Sequence, residues 1–168
     1  MGKGGRSQSF LLLLLLPAGL IIVADQLTKW LIMSRFGLYE IKAIVPGFFN
    51  LTYLHNTGAA FGLLANANPA WRPYFFIGIA LGALVFVFFA FLHYRHRSVV
   101  YVFAFSFIGG GALGNLIDRV RFGSVVDFLD FYVSTYHWPA FNVADSAIVV
   151  GVGLFLLGSL IDKDGGPS

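Results

Sequence analysis

The sequence predicts an all-α membrane protein of four transmembrane helices with a small β-hairpin lying outside them. Two observations carry that expectation. The chain is 58% hydrophobic, with 19 Phe and only 11% charged residues, a composition far from that of a soluble domain. Four stretches, 10–33, 71–92, 99–117 and 141–161, approach the roughly 20 apolar residues that a helix needs to cross a hydrocarbon core. Residues 1–168 are read as a single polytopic domain.

The first stretch follows Lys3 and Arg6 and has the apolar run of a signal peptide. No small-x-small cleavage site closes it, and residues 25–30 continue its pattern, so a retained membrane helix is expected. Between the first two helices, 39–45 and 48–54 read as short strands joined at Pro46-Gly47, the pair a type II turn favours. Open strand edges cannot sit in hydrocarbon, so this hairpin must rest at the membrane surface as a platform over the helices. The Asn- and Pro-rich segment 66–73 ends the surface region, and Trp71 and Tyr74 suit an interfacial aromatic belt.

Residues 93–97 make a short basic connection without acids, and Lys3 and Arg6 mark the N-terminus, so both fit a cytoplasmic side and the longer segments 34–70 and 118–140 face outward. Lys29, Arg35, Lys42, Arg72, Arg119 and Arg121 blur that bias. Parity does not depend on charge: with four crossings, 34–70 and 118–140 must share one side. The absence of Cys excludes disulfides, thiolate zinc sites and a cysteine nucleophile. His93 and His96 have no nearby carboxylate, so neither is expected to bind metal. A net charge of +3 without a basic run excludes a nucleic-acid partner and leaves anionic lipid headgroups as neighbours of the Lys and Arg side chains.

Parity gathers Asp25, Asn56, Asn115, Arg119, Asp127, Asn142 and Asp145 on one side of a chain otherwise poor in polar residues. Ionisable groups near hydrocarbon cost a few kcal/mol each and persist where they pair, line a cavity or do chemistry. Two adjacent carboxylates cannot both ionise easily, so one keeps a proton while the other acts as base. Asp127, after an apolar strand-like run, and Asp145, in the first turn of the fourth helix, form that candidate pair. Plainer readings stand beside this one. Asn142 and Asp145 also fit a helix N-cap with an acidic N3 residue, and Asp127 and Asp130 could be solvated loop acids. Asn115 and Arg119 share a helix face with Gly111; they could be an interfacial pair or could orient the carboxylates. Asp25 and Lys29 read as a helix-end salt bridge, and Gly110-x-x-x-Gly114 as a close helix contact.

Five strings, D-Q-L-T-K-W (25–30), N-T-G-A-A-F-G (56–62), G-N-L-I-D-R (114–119), V-V-D-F (125–128) and F-N-V-A-D-S (141–146), together resemble the lipoprotein signal peptidase family, signal peptidase II. The resemblance covers nearly the whole chain from Asp25 onward. It implies a catalytic dyad of Asp127 and Asp145, with Asn56, Asn115, Arg119 and Asn142 around it and Asp25 supporting the structure. It also implies four transmembrane helices with a small extracytoplasmic β-cradle and a short surface helix within 59–70. The implied activity is that of an aspartic endopeptidase of the bacterial inner membrane with its site near the extracytoplasmic face; the charge pattern puts both termini on the cytoplasmic side, and a monomer is expected. The implied substrate is a prolipoprotein, cleaved just before its diacylglyceryl-modified cysteine. One Asp would take a proton from the attacking water and the other would donate to the scissile carbonyl, with no metal, cofactor or covalent intermediate.

The main competitor is a small ion or proton-coupled transporter, whose carboxylates would lie near the bilayer midplane. A serine intramembrane protease is disfavoured, since no G-x-S-x-G string occurs.

Overall fold

In the computed structural model, which describes residues 3–58 and 70–164, eight elements follow one another: α1 (Lys3–Arg35), β1 (Ile41–Val45), β2 (Phe49–Asn56), α2 (Arg72–Tyr94), α3 (Val99–Phe122), β3 (Val125–Val133), β4 (Tyr136–His137) and α4 (Val143–Asp164). All four helices are long and apolar enough to cross a membrane. Their outward faces expose Leu12, Leu16, Phe86, Phe89 and Leu160, as a helix bordered by lipid requires. The surface helix was expected within 59–70, and residues 59–69 of that range lie outside the described ones.

Helix boundaries depart from the apolar runs where capping decides them. The third helix was expected to stop at residue 117, where the apolar run ends, but α3 continues to Phe122. Gly123, at φ +70° with its N–H on the Arg119 carbonyl, ends it in the left-handed conformation. Asp118, Arg119 and Arg121 are therefore helical. The fourth helix starts at Val143, two residues after the expected 141, because Phe141 exchanges backbone hydrogen bonds with Leu129 of β3. Asn142 then serves as N-cap, its Oδ1 accepting the N–H of Asp145 at 2.9 Å.

Helix α3 is central, packing against α1, α2 and α4. The small residues at its waist make this possible. A Cβ on Gly111 would collide with the Ala144 carbonyl of α4, one on Gly110 would lie 2.9 Å from the Ala18 carbonyl of α1, and one on Gly114 would lie 2.7 Å from the Asp25 carboxylate. The expected close contact at Gly110 and Gly114 is thus real, and Gly111 brings α4 closest. Gly111→Ala is expected to lower stability by about 1–3 kcal/mol through overpacking and to push the start of α4 away from α3. Thermal melts in detergent beside a cleavage assay would measure both; an unchanged melting temperature would mean that the backbones separate freely.

The hairpin forms as expected. Gly47 sits at φ +83° and Phe48 N–H donates to the Val45 carbonyl at 3.0 Å, a type II turn. The rest of the sheet was not read from the residue pattern. Strand β3 pairs antiparallel with β2, placing Leu54 opposite Asp127 and Asn56 opposite Val125, and β4 extends the order to β1-β2-β3-β4. Asp130 is buried, receiving Asn50 Nδ2 at 2.8 Å and facing His137 Nδ1 at 2.8 Å. It fastens the sheet and is not a solvated loop acid.

Candidate active site

The site forms where the end of α3, strand β3 and the first turn of α4 converge. Asp127 stands on β3, whose residues Val125 to Phe128 are all buried, and is itself 3% exposed. Asp145 is half-buried at the N3 position of α4. The antiparallel contact between Leu129 and Phe141 brings the two strings together: it lays the entry to α4 along β3, so that Asn142 reaches Asp127. Both carboxylates line one cavity of about 610 Å³, together with Asn56, Asn115 and Arg119. Its remaining wall is mainly apolar, built from Trp138, Phe141, Ile148, Val149 and Val150.

Each carboxylate is served by amides. Asp127 Oδ2 accepts from Asn56 Nδ2 at 3.0 Å and Oδ1 from Asn142 Nδ2 at 2.7 Å. Asp145 Oδ1 accepts from Asn115 Nδ2 at 2.7 Å. Arg119, stacked over the Phe76 ring at 5.6 Å, lies close enough for its charge to be felt by Asp145, Asp127 and Asp118. Among the described residues it forms no ion pair with either cavity carboxylate. Burial first, and the neighbouring Asp145 second, push the Asp127 carboxyl up from 3.8 to about 7. The hydrogen bonds from Asn56 and Asn142 and the charge of Lys29 oppose that rise without cancelling it.

The two readings of Asn142 turn out to be compatible: its oxygen caps α4 while its nitrogen donates to Asp127. Asn142→Ala is expected to lose about 1 kcal/mol of helix capping and the donor together. Asn142→Ser keeps a capping oxygen but cannot span to Asp127, so it should regain part of the melting temperature and none of the lost cleavage rate. Equal recovery of both would assign Asn142 to capping alone.

Asp25 and Lys29 form the salt bridge expected of them, but within a buried cluster and not as a simple helix-end pair. Both are buried, at 0% and 1% exposure. The Lys29 ammonium lies 2.8 Å from Asp25 Oδ2 and 2.8 Å from Asp118 Oδ2. A pair so buried is not the weak surface interaction that an i, i+4 spacing suggests, since removing one partner leaves an uncompensated charge. Asp25 Oδ1 also accepts the N–H of Ala144 at 2.9 Å, tying α1 to the start of α4. Asp118, although part of the G-N-L-I-D-R string, is not among the site residues expected from the sequence. It accepts the N–H of Val126, next to Asp127, at 3.1 Å, and Gln26 Nε2 at 2.8 Å. Its spacing of three residues puts it on the helix face of Asn115, and the approach of α1 brings Lys29 to that face.

A family model described as signal peptidase (SPase) II matches residues 17–161. The chain belongs to the signal peptidase II family. Lipoprotein signal peptidases similar to it include that of Syntrophotalea carbinolica, 54% identical over 86% of this chain and 89% of the relative. That of Syntrophus aciditrophicus is 46% identical over 91% and 94%, and that of Serratia marcescens 49% over 89% and 86%. Among solved structures, a bacterial membrane enzyme determined by the in meso method at 2.3 Å resolution superposes with a TM-score of 0.80 at 33% identity, covering 91% of this chain and 90% of that one. A transporter finds no support in this membership, and the cavity carboxylates stand on a strand and a first helical turn, not along the middle of the spans.

Proposed function

We propose that Asp127 and Asp145 are the catalytic dyad, with Asn56, Asn115 and Asn142 orienting them and Arg119 stabilising charge in the same cavity. The chain is a multi-pass membrane aspartic endopeptidase that cleaves signal peptides during lipoprotein maturation. The observation that carries the dyad is the pairing of two shielded carboxylates in one cavity, one of them held near a neutral pKa. Such a pair shares a proton at neutral pH. The ionised member takes a proton from water as it attacks the scissile carbonyl, and the protonated member donates to the carbonyl oxygen. The three Asn donors keep the carboxylates from turning away without neutralising them.

The substrate in this reading is a diacylglyceryl-modified prolipoprotein cut just before the lipidated cysteine. Val149 and Val150 line the cavity yet are 71% and 49% exposed on α4, so the apolar wall continues into the lipid-facing surface. A substrate anchored in the bilayer then enters sideways, with its acyl chains against that wall. The sheet and dyad lie at the extracytoplasmic face of the bacterial inner membrane, both termini are cytoplasmic, and the enzyme acts as a monomer. A gel-shift assay on purified protein, using the diacylglyceryl-modified precursor and the same precursor unmodified, tests this. Cleavage of the lipidated form alone is expected. Equal cleavage of both would remove the acyl chains from recognition, and no cleavage by folded protein would overturn the reading.

A further inference from the structure

An Asn amide supports a carboxylate only with its NH2 end; turned about, its oxygen would face the carboxylate and repel it. Something must therefore fix the polarity of each amide. In all three, the oxygen is held by a group that can only donate. Asn56 Oδ1 accepts the N–H of Gly58 at 3.1 Å and Asn142 Oδ1 the N–H of Asp145 at 2.9 Å. Asn115 Oδ1 accepts the Lys29 ammonium at 3.1 Å. Two anchors are backbone, and the third is a side chain from another helix.

We infer that Lys29 is a positioning residue of this peptidase: its ammonium holds the carbonyl end of Asn115 and so aims the amide NH2 at Asp145. The inference rests on reading Asp127 and Asp145 as the dyad. An ammonium has three N–H donors, and among the described residues its three acceptors are Asp25 at 2.8 Å, Asp118 at 2.8 Å and Asn115 at 3.1 Å. The two carboxylates, from α1 and α3, clamp the ammonium beneath Asn115. Asn142 Nδ2 also reaches Asn115 Oδ1, at 3.2 Å, but this neutral donor divides its two N–H groups among that oxygen, the Val126 carbonyl at 3.2 Å and Asp127 at 2.7 Å, so it is a weaker anchor than the ammonium. The buried ion cluster thereby acts on the reaction through this amide, in addition to the Lys29 charge felt at Asp127, without touching substrate; Lys29→Met and Lys29→Gln are both neutral and so differ in the amide anchor alone.

Removing Lys29 alone would strand two buried carboxylates, so the test removes one charge of each sign. Asp118→Asn serves as the reference, and Lys29→Met and Lys29→Gln are each combined with it; both double variants keep the net charge of the wild-type cluster. Gln can still donate to Asn115, whereas Met cannot. With diacylglyceryl-modified prolipoprotein, the Met double variant is expected to lose about 100-fold in kcat with KM little changed, as for a misplaced catalytic group. The Gln double variant is expected to recover to within about tenfold of the reference. Equal kcat for the two doubles, or a fall in melting temperature without a fall in kcat, would overturn the inference. Should the Met variant fail to fold, the Gln variant decides: near-reference kcat supports the role, and a folded but inactive protein refutes it. Asp127→Asn and Asp145→Asn are run alongside, because activity in either would sink the dyad itself whatever Lys29 does.

Discussion

Asp127→Asn and Asp145→Asn are each expected to lower kcat/KM by about 1,000-fold or more while the protein stays folded, since general acid-base groups contribute about 100 to 10,000-fold. The substitutions are nearly isosteric. Asn at 127 can still accept the amide of Asn142 or of Asn56 through its single oxygen, and Asn at 145 keeps the position that Asn115 now serves. What each variant loses is a group that can exchange a proton. Because the two carboxyls act on one substrate through one shared proton, the double variant should be little worse than either single. Both singles are compared with wild type on lipidated prolipoprotein, with thermal melts in detergent reporting the fold. Cleavage within tenfold of wild type in either folded variant would exclude that residue from the chemistry.

Much of this arrangement was legible because hydrocarbon restricts what a sequence can do. Four apolar runs of that length read as spanning helices, and parity alone placed 34–70 on the same side as 118–140 before any pairing was known. Pro46-Gly47 marked its turn because few residue pairs suit a left-handed third position, and Gly47 occupies it. Asp127, Asp145, Asn56, Asn115, Arg119 and Asn142 stood out because each is costly at such a boundary, and they line or support one cavity.

What was not legible depends on contacts between distant segments. Apolarity measures where hydrocarbon ends, not where a helix ends, so the cap at Gly123 was not legible. Burial of Lys29 is set by α3 approaching α1 at Gly110 and Gly114, a distance that no property of residues 25–29 contains. Likewise β4 is two residues long, too short for any alternation, and the cavity wall from Trp138 to Phe141 is placed by pairing with β3.

The stability of Asp127→Asn relative to wild type is also expected to rise with pH. The carboxyl's pKa goes from an ordinary 3.8 to about 7 in the folded protein. Below 3.8 it is neutral in both folded and unfolded states and contributes no pH dependence. Between 3.8 and about 7 the unfolded chain ionises while the folded one keeps its proton, so unfolding releases a proton and wild-type stability falls with rising pH. Above about 7 both states are ionised and the loss is complete. At 1.36 kcal/mol per pH unit the full effect is about 4 kcal/mol, or about 10 °C in melting temperature for a chain of this size. Melting curves of both proteins at a fixed scan rate should therefore separate between about pH 4 and 7 and run parallel above it. Parallel curves throughout would mean that burial does not hold the proton on Asp127, and the shared-proton mechanism would lose its physical basis. Separation would identify the cost of the site: a carboxyl kept where ionisation is unfavourable, which weakens the fold at neutral pH and makes the group able to trade a proton there.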